Sequence, residues 1–188
     1  DRIYAATSVR LNHAVGIPVE DPASPSGWAM LARRSHGTGY LQFGPYLEPM
    51  YLYPGTPYRA KFRLKTSSIT TLETVATLDV SDTVAGVLAS RSLRGPDFAA
   101  PNRYQDFLLE FTTPHPPSGN LEFRANVTGR ADLSLAETRL STDSPRRGPD
   151  YPVVVTTTEP TFTWEPVASG RVRLRIWPYP DPYPEVFE

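Results

Sequence analysis

Few residues in this chain have the types and spacing that catalysis requires. The three histidines, His13, His36 and His115, are scattered, and none stands in a zinc-protease, serine-hydrolase or phosphate-binding motif. A carboxylate pair for glycoside hydrolysis is an alternative that the sequence leaves open. Spacing along the chain does not reveal whether two carboxylates lie at the separation of about 5 to 9 Å that such a pair needs. The sequence therefore predicts a protein that is not an enzyme.

A row of cations is the clearest charged feature. Residues 58–65 alternate between apolar and basic side chains, and this period of two places the cations on one face of a strand. The basic residues are Arg59, Lys61, Arg63 and Lys65. They either attract an acidic polysaccharide or form a solvated face to which Glu110 and Glu122 supply opposite charges. We favour the solvated face.

Composition excludes several classes of protein. A hydrophobic fraction of 39% in 188 residues supports a folded core, while 21 prolines and 12 glycines favour a loop-rich all-β protein. The net charge of −1 argues against a nucleic-acid-binding protein. No apolar run approaches the roughly 20 residues of a membrane-spanning helix, which argues against membrane insertion. The absence of cysteine excludes disulfides and thiolate zinc sites.

The elements that must position any functional residue are short strands. The candidates are residues 2–7, 14–19, 28–33, 40–43, 58–65, 74–80, 87–93, 107–112, 121–128 and 132–140. Turn residues separate them, and Pro18 predicts that the second strand lies at a sheet edge. The alternation slips between Leu135 and Ala136, which predicts a β-bulge. About ten such strands predict an all-β fold, a two-sheet antiparallel β-sandwich of the jelly-roll type.

The composition changes after residue 140. Residues 141–152 (STDSPRRGPDYP) have linker composition, which makes residues 1–140 the first domain. Beyond the linker, residues 153–155, 161–164 and 171–177 are candidate strands, and the tail is rich in proline. Residues 153–188 are too few for a complete sandwich of about 100 residues, so we predict a C-terminal β extension. It is an add-on hairpin, a truncated domain or a strand donated to a neighbouring subunit.

Five segments in order carry a resemblance to a known type of domain. They are GYLQFGPY, PGTPYRAKFRLK, VATLDVSD, DFAAPNRYQDFLLEF and NLEFRANVTGRADLSLAETRL. Together they resemble galactose-binding-domain-like jelly rolls, especially the calcium-bearing carbohydrate-binding modules of bacterial extracellular proteins. The resemblance implies a non-catalytic domain. In such a domain, sugar binds in loops at one end of the sandwich or on a sheet face, by aromatic stacking and a few hydrogen bonds.

The resemblance gives five candidate carbohydrate-binding residues. Trp28 follows a loop and is either a platform at the rim of the sandwich or a core residue of a strand. Tyr40 and Tyr104 flank turns, where each either packs or contacts sugar. Asn126 and Asp132 bracket the turn before the last strand, where an amide and a carboxylate either contact sugar or are solvated.

The resemblance also implies a structural calcium ion. Glutamates are expected in the opening strand, but the sequence there is Tyr4-Ala5-Ala6-Thr7. Asp132 or Glu137 is a candidate for the late carboxylate, and Asp79 and Asp82 form a weaker acidic pair. Because calcium takes six to eight oxygen ligands, we predict no cofactor, with a calcium ion at Asp132 and Glu137 as the alternative.

Two functions stay open. The first is a carbohydrate-binding-module-like domain, extracellular or at the cell surface of a bacterium, whose partner is a glycan or polysaccharide. The second is a structural subunit of a surface layer, filament or multidomain scaffold, whose C-terminal extension contacts neighbouring domains or copies of itself. Aromatic residues in loops favour the first function, and the missing glutamates and the proline-rich tail favour the second.

Overall fold

The computed structural model describes residues 2–52, 55–114, 118–142, 175–176 and 185–186. The chain divides into two compact units, Asp1–Ser144 and Pro145–Glu188. Strand β11 of the first unit continues to Ser141, the first residue of the predicted linker. The rest of that linker lies almost entirely outside the described residues, and its function as a linker stays a prediction.

Short strands make up most of the first unit. They are β1 (Arg2–Ala5), β2 (Ile17–Glu20), β3 (Trp28–Ala32), β4 (Gly39–Gln42), β5 (Pro45–Leu47), β6 (Pro57–Thr66), β7 (Thr74–Asp82), β8 (Gly86–Arg94), β9 (Gln105–Thr112), β10 (Leu121–Val127) and β11 (Leu133–Ser141). Every strand predicted for this unit is present. The sequence does not predict β5, because Gly44 and Pro45 indicate a turn.

Helical structure in the described part of the chain consists of three short 3₁₀ turns. They are Arg34–His36, Pro49–Tyr51 and Gly95–Asp97. No helix among the described residues is long and apolar enough to cross a membrane.

The strands form two antiparallel sheets, which confirms the predicted β-sandwich. The six-stranded sheet has the order β2-β3-β11-β6-β9, with β1 also paired to β11, and the five-stranded sheet has the order β4-β10-β7-β8, with β5 paired to β10. Strand β2 is an edge strand, where the missing N–H of Pro18 leaves the ladder intact, as predicted. The pairing of β11 with β6 shifts between Leu135 and Glu137, which confirms the predicted bulge.

The core lies between the sheets and is filled by alternate residues of the central strands. Phe62 of β6 and Phe107 of β9 come from the six-stranded sheet, and Leu78 of β7 and Phe123 of β10 come from the five-stranded sheet; all four are buried. Tyr4 of β1 reaches across, with its ring centroid 6.1 Å from that of Phe123. Since alternate side chains face inward, the polar residues between them face outward on both sheets.

The cation row of β6 lies on the outer face of the six-stranded sheet and is paired with acidic residues. The pairs are Arg59–Glu110 (3.0 Å), Lys61–Asp106 (3.1 Å), Arg63–Asp106 (3.1 Å) and Lys65–Asp21 (2.5 Å). The prediction that Glu110 supplies an opposite charge to this solvated face is therefore confirmed. The same prediction is wrong for Glu122, which lies on β10 of the other sheet.

The second unit contains two described strands, β12 (Arg175–Ile176) and β13 (Glu185–Val186), which pair antiparallel. Strand β12 lies within the predicted strand 171–177, and β13 lies in the proline-rich tail. The described part of this unit is therefore β structure, and the C-terminal β extension with bounds 153–188 stays a prediction. The predicted strands at 153–155 and 161–164 lie outside the described residues.

Candidate functional site

The outer face of the five-stranded sheet carries a group of polar and aromatic residues. On β10, core residues alternate with Glu122, Arg124 and Asn126, which therefore share the outer face. Strand β7 places Asp79 opposite Arg124, and β4 places Tyr40 opposite Asn126. We name this group, Tyr40, Asp79, Glu122, Arg124 and Asn126, the five-strand face.

Arg124 is held by three neighbours in this group. Its Nε donates a hydrogen bond to Asp79 Oδ1 at 2.6 Å, and its Nη1 lies 3.7 Å from Glu122 Oε2. Its guanidinium carbon lies 5.6 Å from the centroid of the Tyr40 ring. Burial lowers the pKa of Arg124, but the hydrogen bond and charge of Asp79 outweigh burial, so the pKa is raised above its usual value. The guanidinium therefore stays charged and keeps one orientation.

Aromatic rings border the charged centre. The ring centroids of Tyr40 and Phe43 lie 5.7 Å apart with the planes inclined at 52°. Tyr46 is 42% exposed, and the residue before it, Pro45, pairs with Glu122 of β10. Partial burial raises the pKa of Tyr46, and the charge of Glu122 raises it further, so the hydroxyl remains a donor in neutral solution.

Hydroxyl groups extend the face towards the edge strand β8. Thr77 pairs with Ser92, with the two hydroxyl oxygens 3.5 Å apart, and Asp79 pairs with Ser90. Ser90 and Ser92 are exposed to solvent. The face therefore combines an aromatic ring, a fixed guanidinium, two carboxylates, an amide and exposed hydroxyls. Chemically, such a combination is suited to a molecule with an apolar face and many hydroxyl groups.

Comparisons with known proteins identify solved structures of similar fold. No family model matches the chain, and no curated protein matches it by sequence. The CBM22-1–GH10 modules of Clostridium thermocellum xylanase 10B, complexed with xylohexaose, are 12% identical at a TM-score of 0.45. That alignment covers 70% of this chain and 25% of the xylanase chain, so the similarity in fold is limited to one part of the xylanase.

Two further structures are carbohydrate-binding modules on their own. A family 16 carbohydrate-binding module is 16% identical over 66% of this chain and 83% of its own, with a TM-score of 0.46. The C-terminal family 22 module of Clostridium thermocellum xylanase 10B is 10% identical over 73% of this chain and 90% of its own, also with a TM-score of 0.46. Carbohydrate-binding modules are therefore among the solved structures to which this chain is similar in fold.

Of the predicted carbohydrate-binding residues, the structure brings together Tyr40 and Asn126. They are partners in the β4–β10 pairing, beside a register shift between Ala125 and Asn126. Trp28 and Tyr104 belong to the six-stranded sheet and its loops, and Asp132 precedes β11. The predicted set therefore does not form one site.

Trp28 is 44% exposed at the start of β3, so its interpretation as a core residue is wrong. The turn before β3 closes with a hydrogen bond from the Asp21 amide to the Gly27 carbonyl, at 2.8 Å. Trp28 is the first residue after this turn and pairs with exposed Glu20 of the edge strand β2. The core packing of β3 begins at Met30, two residues further along the strand, which is 4% exposed.

Tyr104 is engaged by its own neighbours. Its hydroxyl donates to Asp21 Oδ2 at 2.7 Å, and Lys65 Nζ lies 4.8 Å from its ring centroid. Burial raises the pKa of Tyr104 well above its usual range, and the Asp21 carboxylate raises it further. Both the hydroxyl and one ring face are occupied, so Tyr104 links the loop after β2 to β6.

The surroundings of Asp132 and Glu137 do not fit a calcium ion. Asp132 Oδ1 accepts a hydrogen bond from the Arg34 amide at 2.7 Å, and Glu137 Oε1 lies 3.5 Å from Arg139 Nη2. Five residues of extended chain span about 16 Å, too far for both carboxylates to bind one ion. Within the described ranges, no group of three or more His, Cys, Asp or Glu residues is placed to hold a metal. Calcium stays a prediction that this geometry does not support.

Sequence reasoning did not select Glu122 or Arg124 for the site, and it considered Asp79 only as a weak metal ligand. The signal for β10 was present, since the alternation of residues 121–128 places Glu122, Arg124 and Asn126 on one face. The position of Asp79 opposite Arg124 depends on the order of strands in the sheet. Periodicity within one strand does not give that order.

Proposed function

We propose that this chain is a non-catalytic glycan-binding domain and that the five-strand face is its binding surface. The observation that supports the proposal most strongly is the placement of Arg124 between Asp79, Glu122 and the ring of Tyr40. A pyranose has an apolar C–H face and a rim of hydroxyls. A tyrosine ring can stack on the C–H face while neighbouring charged groups bind the hydroxyls.

The fixed geometry of Arg124 favours binding. Its side chain is 20% exposed and already hydrogen-bonded, so little rotamer freedom is left to lose when a ligand arrives. Nη2 makes no hydrogen bond to the described residues and can donate to a ligand. Asn126 adds an amide with both a donor and an acceptor. These groups select the positions of hydroxyls and leave the stacking contact to Tyr40.

The charge of the face favours a neutral glycan. One guanidinium, Arg124, stands against two carboxylates, Asp79 and Glu122, which gives a formal charge of −1. A uronate or sulfate group would meet like charge there. We therefore propose a neutral polysaccharide as the ligand, in an extracellular or cell-surface bacterial protein.

In the experiment, neutral oligosaccharides with different backbones are titrated into the protein, and binding is measured by isothermal calorimetry. The test variants are Tyr40→Ala and Arg124→Lys, and Trp28→Ala is the matched aromatic control on the other sheet. Arg124→Lys keeps the charge but cannot reproduce the planar contacts of a guanidinium. We expect each test variant to lose at least about tenfold in affinity, a free energy of about 1.4 kcal/mol.

The control fixes the location of the site. Trp28→Ala should bind as the original protein does. Loss of binding in Trp28→Ala with full binding in Tyr40→Ala would move the site to the six-stranded sheet. Absence of binding to every neutral backbone would overturn the proposal.

A further inference from the structure

A concave surface lies at one edge of the sandwich, between strands of the two sheets. Strand β1 pairs with β11 and strand β5 pairs with β10, so each borders a different sheet. Between them is a cleft of about 410 Å³, which lies in the size range of small-ligand sites. We name it the edge cleft; its lining includes Arg2, Tyr4, Arg10, Tyr46, Glu48 and Tyr51.

The edge cleft carries two arginines without an acidic partner among the described residues. Neither Arg2 nor Arg10 forms an ion pair there, whereas Arg59, Arg63 and Arg124 on the sheet faces are all paired. Among the described residues of the lining, Glu48 is the single acidic one, so these residues together carry a formal charge of +1. Two unpaired guanidinium groups beside a cleft favour an anion, because each can donate two parallel hydrogen bonds to a carboxylate or sulfate.

Tyrosine rings supply an apolar surface beside these cations. Tyr51 is 52% exposed, and the guanidinium carbon of Arg2 lies 4.9 Å from its ring centroid. Stacking on Tyr51 uses the face of the guanidinium and leaves its N–H edges for a ligand. The second exposed ring belongs to Tyr46.

Tyr46 has an unusual backbone conformation that places it at the border of the cleft. Its φ of 59° lies in the left-handed region, which a bulky side chain rarely adopts. The residue before it, Pro45, pairs with Glu122 of β10, so Tyr46 lies between the five-strand face and the edge cleft. A residue held in a costly conformation is often kept for what its side chain does.

We propose that the edge cleft is a second binding site, which takes an anionic sugar residue: a pyranose that carries a carboxylate or a sulfate ester. Arg2 and Arg10 bind the anionic group, and Tyr51 and Tyr46 contact the sugar ring. This site goes beyond the neutral-glycan function of the five-strand face, because its charge has the opposite sign.

The test uses the whole chain and three ligands: a galacturonate trisaccharide, its methyl-esterified form, and a sulfated disaccharide. Binding is measured by calorimetry at low and moderate salt. The test variant is the double substitution Arg2→Gln with Arg10→Gln, and the matched control is Arg103→Gln, an exposed arginine in the loop before β9. Thermal unfolding of each variant checks that the fold is retained.

We expect the trisaccharide, the sulfated disaccharide or both to bind, with affinity that falls as salt increases. The double variant should bind the anionic ligand at least about tenfold more weakly than the original protein does. The methyl-esterified trisaccharide should bind to the original protein as weakly as the anionic ligand binds to the double variant. Binding of only one of the two anionic ligands would identify the group that the cleft takes. Absence of binding by both, or equal binding by the double variant and the Arg103→Gln control, would overturn the proposal.

A further variant separates this site from the five-strand face. Tyr40→Ala should lose neutral oligosaccharides and still bind the anionic ligand, while the double arginine variant should show the reverse. If neutral ligands fail to bind, the proposal for the five-strand face is overturned and the proposal for the edge cleft is unaffected. Loss of the anionic ligand in Tyr40→Ala would show that the cleft is not an independent site.

Discussion

Arg124 and Asp79 face each other on the adjacent strands β10 and β7, with Nε and Oδ1 2.6 Å apart. The side chains are only 20% and 10% exposed, so this ion pair is largely removed from water. Loss of one partner leaves a charge that water reaches poorly. The same pair that orients the proposed binding face should therefore also contribute to stability.

Replacement of either partner should destabilise the fold. We expect Arg124→Ala to lower the free energy of unfolding by about 2 to 4 kcal/mol, because Asp79 and Glu122 lose their cation. The variant with both Arg124→Ala and Asp79→Ala should lose less than the sum of the single losses, as measured by urea unfolding. The matched control is Arg130→Ala, which breaks an exposed pair with Glu73 and should cost under about 0.5 kcal/mol. Equal effects of Arg124→Ala and Arg130→Ala would contradict this prediction.

The ring of Tyr40, more than its hydroxyl, should determine glycan affinity. Tyr40→Phe keeps the stacking surface and should bind neutral oligosaccharide within about threefold of the original protein, whereas Tyr40→Ala removes the ring. Calorimetric titration of both variants separates the two contributions. A loss in Tyr40→Phe as large as that in Tyr40→Ala would assign the contact to the hydroxyl.

A buried polar contact joins the two sheets. Gln42 Nε2 donates to Thr138 Oγ1 at 3.0 Å and to the Phe123 carbonyl at 3.1 Å, and Gln42 and Thr138 are fully buried. We expect Thr138→Val, which removes only the hydroxyl, to cost about 1 to 2 kcal/mol because the Gln42 amide loses a partner. Thr77→Val, at a partly exposed strand position, is the control for the change in residue type. The prediction fails if chemical denaturation gives the same stability for both variants.

Stability should fall in acid as Asp21 is protonated. Burial raises the pKa of Asp21, but hydrogen bonds from Lys65, Tyr104 and the Ala23 amide outweigh it and lower the pKa below its usual value. A carboxyl whose pKa is lowered by folding contributes stability above the unfolded pKa of about 3.9, and this contribution is lost as pH falls through the folded value. The stability difference between the original protein and Asp21→Asn should therefore be largest near neutral pH and shrink in acid.

The hydrogen bond from Tyr104 gives an independent check on Asp21. Tyr104→Phe should move the pKa of Asp21 upwards while the pair with Lys65 remains. An NMR titration of the Asp21 carboxyl carbon in both proteins measures the change. An unaltered titration curve would mean that the Tyr104 hydroxyl does not stabilise the charged form.

Much of the fold could be predicted because strand residues alternate with a period of two. The pattern of β6 indicates its buried and exposed faces, and Pro18 indicates an edge strand; the structure confirms both. For Trp28 the sequence leaves two alternatives open, an exposed platform and a core residue, and the structure shows it exposed. Residue type alone favours burial of tryptophan, whereas its position directly after a closed turn decides the outcome.

The sequence by itself determined every strand of the first unit except β5, their inward and outward faces, and the β-sandwich they form, because these depend on local alternation and on turn residues. Only the tertiary structure decided which outward residues meet. Asp79 and Arg124 are 45 positions apart, and they become partners because β7 and β10 are neighbours in the sheet. The edge cleft likewise exists only because β1 and β5 border different sheets. Strand order is set by the packing of the whole core, and no single segment contains it.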